Sequence, residues 1–209
     1  MESYELLKPN QKHAVSVSCE NNFQSGIHYH ATGSGKSWIA MYLLREFHLR
    51  HPQKNVIWIC ERKDILSHQF SQKTLRARNF QSILQKFNVL DFVDHKDGKW
   101  YEALNSSNIW GKPFLTIINR CFLTSRQKYQ QIRVPISLII HDECHTIENK
   151  SSQQFYQWLT TTHPECRVIG FSATPERIYP LDNILSQYSI YDGFKDGVIL
   201  PPKIIWLKC

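Results

Sequence analysis

Short runs of apolar residues alternate along this chain with longer stretches in which apolar residues recur every three or four positions. Continuous short runs are typical of strands buried on both faces of a sheet, and the periodic stretches are typical of amphipathic helices. Strands are predicted at 25–30, 55–60, 113–119, 136–143 and 166–173. Helices are predicted at 36–51, 62–73, 120–131 and 151–161, the last one capped by serines. This alternation predicts an α/β fold with a mainly parallel sheet covered by helices on both faces.

Residues 75–112 follow neither the strand pattern nor the helix pattern and are rich in aromatic and basic side chains. The composition of the whole chain limits the possible functions only weakly. The chain has 209 residues, 42% of them hydrophobic, which is enough for one well-buried core. Its formal net charge of +7 suits a polyanion such as nucleic acid, but it also suits an ordinary basic surface. Charge alone does not choose between the two.

The six cysteines are scattered and form no C-x-x-C pair, so the sequence carries no zinc signature. Several lie in apolar runs, where a reduced cysteine behaves as a small hydrophobic side chain. We therefore expect an intracellular, reducing compartment, with nucleus and cytoplasm left open. The charged N-terminus is unlike a signal peptide, and no apolar run approaches the ~18 residues of a membrane span, so no membrane partner is expected.

The stretch HYHATGSGKS, residues 28–37, follows a predicted strand and opens a predicted helix. Gly33 and Gly35 let backbone amides approach an anion, and the helix dipole points to the same place. Lys36 can reach the β- and γ-phosphates of a nucleotide, and the hydroxyl of Ser37 suits Mg²⁺. His30 stands where the strict phosphate-loop pattern has glycine, and we interpret it as a packing residue. A turn with a chance G-K-S is the alternative.

Two acids follow the clearest buried strand, in the sequence LIIHDECHT. Ligands of parallel sheets bind at the carboxyl ends of strands, so Asp142 is a candidate ligand of Mg²⁺ and Glu143 a candidate base for an attacking water. A pair of solvated acids is the alternative. Ser172 and Thr174 end another buried strand, and their hydroxyls are candidates to bond His145 or the acids and so to couple the site to the nucleotide state.

In this order, HATGSGKS, DECH and SATP resemble motifs I, II and III of superfamily-2 helicases of the DExH-box group. The resemblance implies a three-layer, RecA-like P-loop NTPase domain that uses ATP and Mg²⁺. It implies catalytic roles for Lys36, Asp142 and Glu143, and metal binding by Ser37 and Asp142. It also implies a nucleotide-binding set: Gln11, which lies in LKPNQ and reads the adenine edge, with Ala31, Thr32, Gly33, Ser34, Gly35, Lys36 and Ser37.

Two further segments, IWICERKDILSHQ and LTIINRCFL, resemble motifs Ia and Ib, which line the track of a nucleic-acid strand in that family. By this match the nucleic-acid candidates are Arg62, Lys63, Asn119 and Arg120. Ordinary surface charge is an equally good interpretation of each of them. The family has a second RecA-like lobe with arginine fingers, so we expect residues 1–209 to be the first lobe of a longer protein, weak as an ATPase alone, with 197–209 starting the connection.

Three functions stay open at this point. The leading one is an ATP-dependent helicase motor lobe that acts on nucleic acid. The second is a duplex-DNA translocase lobe of a restriction-type or remodelling enzyme, which the histidine at the start of HATGSGKS favours. The third, from another class, is a nucleotide-dependent binding module or a P-loop kinase. DNA is favoured over RNA as the partner because the loop and DECH resemble the restriction-type set more closely.

Overall fold

The computed structural model describes residues 6–77, 79–94, 99–106, 111–174 and 181–200. Within these residues the sheet has seven strands: β1 Gly26–His30, β2 Val56–Cys60, β3 Asn88–Asp91, β4 Phe114–Asn119, β5 Leu138–Asp142, β6 Arg167–Ser172 and β7 Ile184–Tyr188. They are arranged in the order β3-β4-β2-β5-β6-β1-β7. All neighbouring strands pair in parallel. The predicted α/β fold with a parallel sheet is confirmed.

Helices connect the strands across both faces of the sheet. They are α1 Pro9–Glu20, α2 Lys36–Arg50, α3 Lys63–Gln69, α4 Gln72–Ala77, α5 Gln81–Leu84, α6 Trp100–Ser106, α7 Arg120–Thr124, α8 Lys150–Thr162 and α9 Ile190–Lys195. Short 3-10 segments cover Ser125–Gln131 and Cys144–Glu148. None of the helices in the described part of the chain is both long and apolar enough to cross a membrane.

The five predicted strands and the helices at 36–51 and 151–161 are confirmed within a few residues. The single helix predicted at 62–73 is wrong, because the chain turns between α3 and α4. The helix predicted at 120–131 ends as α7, and Arg126 (φ 53°) and Gln127 (φ 51°) break the helical backbone beyond it. The serine cap of α8 is also wrong: Asn149 accepts the hydrogen bond from the amide of Ser152.

Alternate residues of each central strand pack on opposite faces of the sheet. In β2, Trp58 joins a cluster with α1 and α2, whereas Ile57 and Ile59 join a cluster with α8. Both clusters are buried, which explains why the strands carry continuous apolar runs instead of alternating ones. Packing on both faces of the sheet therefore positions the residues at the strand ends.

The carboxyl ends of β1, β5 and β6 lie side by side at one edge of the sheet, since β6 pairs with both of the others. The loop of residues 31–35, the acids that follow β5 and the hydroxyls that follow β6 therefore share this edge. The predicted connection 197–209 lies largely outside the described residues, which end at 200. Just before this connection, Ile190–Lys195 form the short helix α9.

Candidate active site

The loop between β1 and α2 depends on two glycines with left-handed backbone. Gly33 has φ +85° and Gly35 has φ +95°, values that disfavour any residue with a side chain. Gly35 is the N-cap of α2, and no side chain caps the helix. The first amides of this 15-residue helix are therefore available to an anion, which the helix dipole also attracts.

Lys36 links the loop to the acids at the end of β5. Its Nζ donates to the carbonyl oxygen of His30 at 3.3 Å and lies 3.6 Å from Oε1 of Glu143. The other carboxylate oxygen of Glu143 lies 3.5 Å from Nδ1 of His145. The structure thus brings the predicted lysine and the predicted base together, although 107 positions separate them in the sequence numbering.

Asp142 and Ser37 meet through a residue that the sequence did not single out. Nε2 of Gln69 donates to Oδ2 of Asp142 at 2.6 Å and to Oγ of Ser37 at 3.0 Å. Asp142 is buried, and burial raises the pKa of its carboxyl group. One feature of the sequence could have pointed to Gln69. It follows Leu66, which is buried, by three positions, and this spacing puts both on one face of α3.

The oxygen atoms at this point suit Mg²⁺. The described residues contain no group of three His, Cys, Asp or Glu side chains that could hold a metal ion. Mg²⁺ does not need one, because it commonly uses one or two protein oxygens together with phosphates and waters. Oε1 of Gln69 is buried and has no hydrogen-bond partner, so a further oxygen acceptor lies beside Ser37 and Asp142. The residues present therefore fit a hydrated Mg²⁺ ion.

Gln11 holds the loop from the side of α1. Its Nε2 donates to the carbonyl oxygen of Ser34 at 3.0 Å, and its Oε1 accepts from the amide of Lys8 at 3.0 Å. The side chain is buried, and each end of its carboxamide makes one hydrogen bond within the protein. Recognition of adenine by Gln11 stays a prediction, for which the second amide hydrogen and the second lone pair of the carbonyl oxygen are available.

We expect that Gly35→Ala destabilises the fold by about 1–3 kcal/mol through its left-handed backbone alone. A Cβ atom there would also collide with Nε2 of Gln11, so the carboxamide of Gln11 must move away from the loop. Chemical unfolding measures the total loss. Gly111→Ala is the matched control, because it has φ +70° and open space around the new Cβ. Equal losses in the two variants would show that the contact with Gln11 contributes nothing.

The hydroxyl oxygens of Ser172 and Thr174, which follow or end β6, lie 3.3 Å apart. Oγ of Ser172 donates to the carbonyl oxygen of Thr174 at 3.1 Å and accepts from the amide of Thr174 at 3.1 Å. The hydrogen bonds of Ser172 thus form a local turn instead of reaching His145 or the acids, as the sequence suggested. The coupling role of Ser172, Thr174 and His145 stays a prediction.

The four nucleic-acid candidates divide into two pairs. Asn119 caps α7 and donates to the carbonyl oxygens of Cys60 and Glu61. Arg120 is buried, and the carboxylate of Glu61 binds its guanidinium group through two nitrogens, which raises the pKa of Arg120. Both residues therefore tie the end of β4 to the end of β2, and a phosphate would have to compete with Glu61 for Arg120.

Arg62 and Lys63 differ from that pair because both are exposed at the start of α3. Arg62 pairs with Asp64, but the side chains of both partners are about two-thirds exposed, and such a pair is easily exchanged for another anion. These two cations remain candidates for contacting a nucleic-acid backbone.

A buried chain of polar side chains connects the loop to the far edge of the sheet. Nε2 of His30 lies 2.8 Å from Oγ of Ser186 on β7, and Nδ1 of His28 lies 2.7 Å from the same hydroxyl. Nε2 of His28 lies 2.8 Å from Oγ of Ser18 on α1. His30 is thus a buried packing residue, as the sequence analysis interpreted it.

A loop between a parallel strand and a helix, beside an acid pair at the end of another strand of the same sheet, defines a RecA-like P-loop domain that binds nucleotides. Residues 5–177 match the family described as type III restriction enzyme, res subunit. Because this match covers most of the chain, the protein belongs to that family, whose domain is a helicase-like ATPase of superfamily 2.

The chain is also similar to the "Putative type I restriction enzyme MjaVIIIP endonuclease subunit" of Methanocaldococcus jannaschii, with 25% identity over 201 residues. The similarity covers 87% of this chain and 19% of that relative. The chain therefore spans about a fifth of the length of the curated relative that it matches.

Proposed function

We propose that this chain is the first motor lobe of an ATP-dependent enzyme of the DExH group, which binds and hydrolyses ATP with Mg²⁺ to drive movement on DNA. The observation that carries the proposal is the convergence of Lys36, Ser37, Asp142 and Glu143 at one edge of the sheet. Family membership and the similarity to a restriction enzyme subunit support the same function.

Each residue has a defined task in this proposal. The amides at the start of α2 and Nζ of Lys36 bind the phosphates. Ser37 and Asp142 would hold Mg²⁺, which supplies charge neutralisation at the β- and γ-phosphates. Glu143 orients a water molecule for in-line attack on the γ-phosphorus and accepts its proton.

The ion pair between Lys36 and Glu143 competes with a phosphate for the same ammonium group. At 3.6 Å the two groups neutralise each other, and the side chain of Lys36 is only 10% exposed. A γ-phosphate attracts Lys36 more strongly than one carboxylate does, because it carries more negative charge. Binding of ATP would therefore draw Lys36 away and leave Glu143 free to accept a proton.

DNA and a second RecA-like lobe are the proposed partners. Arg62 and Lys63 are exposed at the edge that carries the phosphate loop, and the net charge of +7 attracts a polyanion. An arginine supplied by an opposing lobe can be worth ~10³–10⁵ in rate, so the isolated lobe is expected to hydrolyse ATP weakly.

The second candidate function is movement on duplex DNA without strand separation. The similarity to the endonuclease subunit of a type I restriction enzyme favours this candidate, because it agrees with the restriction-type resemblance of HATGSGKS. A strand-displacement assay on the full-length protein separates this candidate from a helicase. A reducing, intracellular compartment is part of the proposal, supported by the five described cysteines, which are all free thiols.

Binding of a non-hydrolysable ATP analogue tests the proposal directly. We expect saturable binding that Lys36→Ala weakens by tenfold or more, because one charge-assisted contact to phosphate is worth about 1.5–3 kcal/mol. Lys73→Ala is the matched control, since Lys73 is exposed on α4. The proposal fails if titration at high protein concentration detects no binding, or if both variants bind as well as the wild type.

A further inference from the structure

One carboxamide occupies the place between the two proposed metal ligands. The Nε2 group of Gln69 lies 2.6 Å from Oδ2 of Asp142 and 3.0 Å from Oγ of Ser37. These residues come from β5 and from the start of α2, which are separate in the sequence. The amide group therefore holds the two oxygens together, with its partially positive hydrogens between the two proposed metal ligands.

The other end of the same carboxamide is unsatisfied. Gln69 is 6% exposed, and its Oε1 is buried without a hydrogen-bond partner in this state. A buried carbonyl oxygen that lacks a partner is unfavourable, and nearly all such groups in folded proteins are paired. Water bound around a cation at Ser37 and Asp142 would supply the missing donor.

We infer that Gln69 is a positioning residue for the metal and substitutes for it when it is absent. The inference rests on the proposed function. Mg²⁺ held by Ser37 and Asp142 would compete with the amide hydrogens of Gln69 for the same oxygens. The carboxamide of Gln69 would then offer Oε1 as an acceptor to water bound at the site, while the buried Leu66 keeps α3 in its place.

The side chain of Gln69 has a suitable hydrogen-bonding group for the metal-free state and another for the metal-bound state. A carboxamide carries a donor for the metal-free state and an acceptor for the metal-bound state. Leucine has neither group. Glutamate has only the acceptor, so it suits the bound state and repels Asp142 in the free state. The two substitutions therefore predict opposite effects on metal affinity at nearly constant side-chain size.

Electron paramagnetic resonance of Mn²⁺, with a non-hydrolysable ATP analogue bound, measures the effect without any turnover. We expect Gln69→Leu to weaken Mn²⁺ by about 10- to 100-fold, the usual cost of losing a residue that orients metal ligands. Affinity for the analogue in excess EDTA should change by less than about twofold. Gln69→Glu should bind Mn²⁺ at least as tightly as the wild type. The control is Gln72→Leu, at an exposed position on α4.

The experiment separates a failure of the inference about Gln69 from a failure of the proposed function. If the wild type binds the analogue and Mn²⁺, and Gln69→Leu binds Mn²⁺ equally well, the role of Gln69 is refuted and the proposed function stands. If Gln69→Leu does not fold, Gln69→Glu decides alone, since a loss of Mn²⁺ affinity in that variant contradicts the inference. If the wild type binds no analogue, the proposed function fails and the inference fails with it.

Discussion

Replacement of Glu143 by glutamine is expected to reduce ATP hydrolysis by about 10²–10⁴-fold while leaving ATP binding intact. Glutamine keeps the size of the side chain but cannot accept a proton from water. Binding should be unchanged or slightly tighter, because Lys36 loses the carboxylate that lies 3.6 Å from its Nζ and becomes free for phosphate. Single-turnover hydrolysis and binding of the ATP analogue, measured on the same preparation, separate the two effects.

Glu165→Gln is the matched control for this variant, since Glu165 is exposed and lies in the turn between α8 and β6. Its hydrolysis rate should equal that of the wild type. A binding module without catalysis would show no difference between Glu143→Gln and the wild type, and a P-loop kinase would consume ATP only with an acceptor. Unchanged hydrolysis in Glu143→Gln would therefore exclude the assignment of Glu143 as the base.

The second large effect is a loss of stability in mild acid. Burial lowers the pKa of His28 to about 3, that of His30 to about 4 and that of His141 to about 3. All three are uncharged in the fold, whereas in the unfolded chain each titrates near 6.5. The contribution of these three histidines to stability is therefore nearly constant above about pH 7, and it falls as the pH drops below 6.5 towards the folded-state values.

The expected size of this loss is considerable. At pH 5.5 each histidine lowers the free energy of unfolding by about 1.4 kcal/mol, so the three together lower it by about 4 kcal/mol. A typical domain has only about 5–15 kcal/mol of stability in total. Urea unfolding at pH 7.5 and pH 5.5 measures the difference. Equal free energies of unfolding at the two values would contradict the prediction.

Single substitutions check which side chains are responsible. His28→Gln removes one titrating group, so it should reduce the difference between the two pH values by about a third. His68→Gln is the control, because it replaces a histidine that is exposed on α3. If both variants behave alike, other groups cause the loss of stability.

The central strands could be predicted because burial on both faces imposes continuous apolar runs, as in the VIWIC of β2. The edge strands β3 and β7 escaped because each is partly exposed, so an apolar run is not required. The break after α3 could not be predicted either, since residues 62–73 keep a helical pattern through the turn. Burial, more than intrinsic preference, decided which elements the sequence revealed.

The candidate site also contains residues that the sequence could predict and residues that it could not. Lys36, Ser37, Asp142 and Glu143 follow strands in recognisable patterns, so local sequence was enough to propose them. Gln69 lies 32 positions from Ser37 and 73 from Asp142, and only the folded sheet brings them into contact. Likewise, the pairing of Arg120 with Glu61 spans 59 positions, which explains why Arg120 resembled a free surface cation in the sequence.

Helix α3 connects the exposed Lys63 to the buried part of the candidate site. Its seven residues span about 10 Å, with Lys63 at the solvent-facing end and Gln69 at the other. Leu66 is fully buried between them and anchors the helix to the core. An anion bound at Lys63 would therefore be connected to the carboxamide beside β5 through a single short helix, without any displacement of the sheet itself.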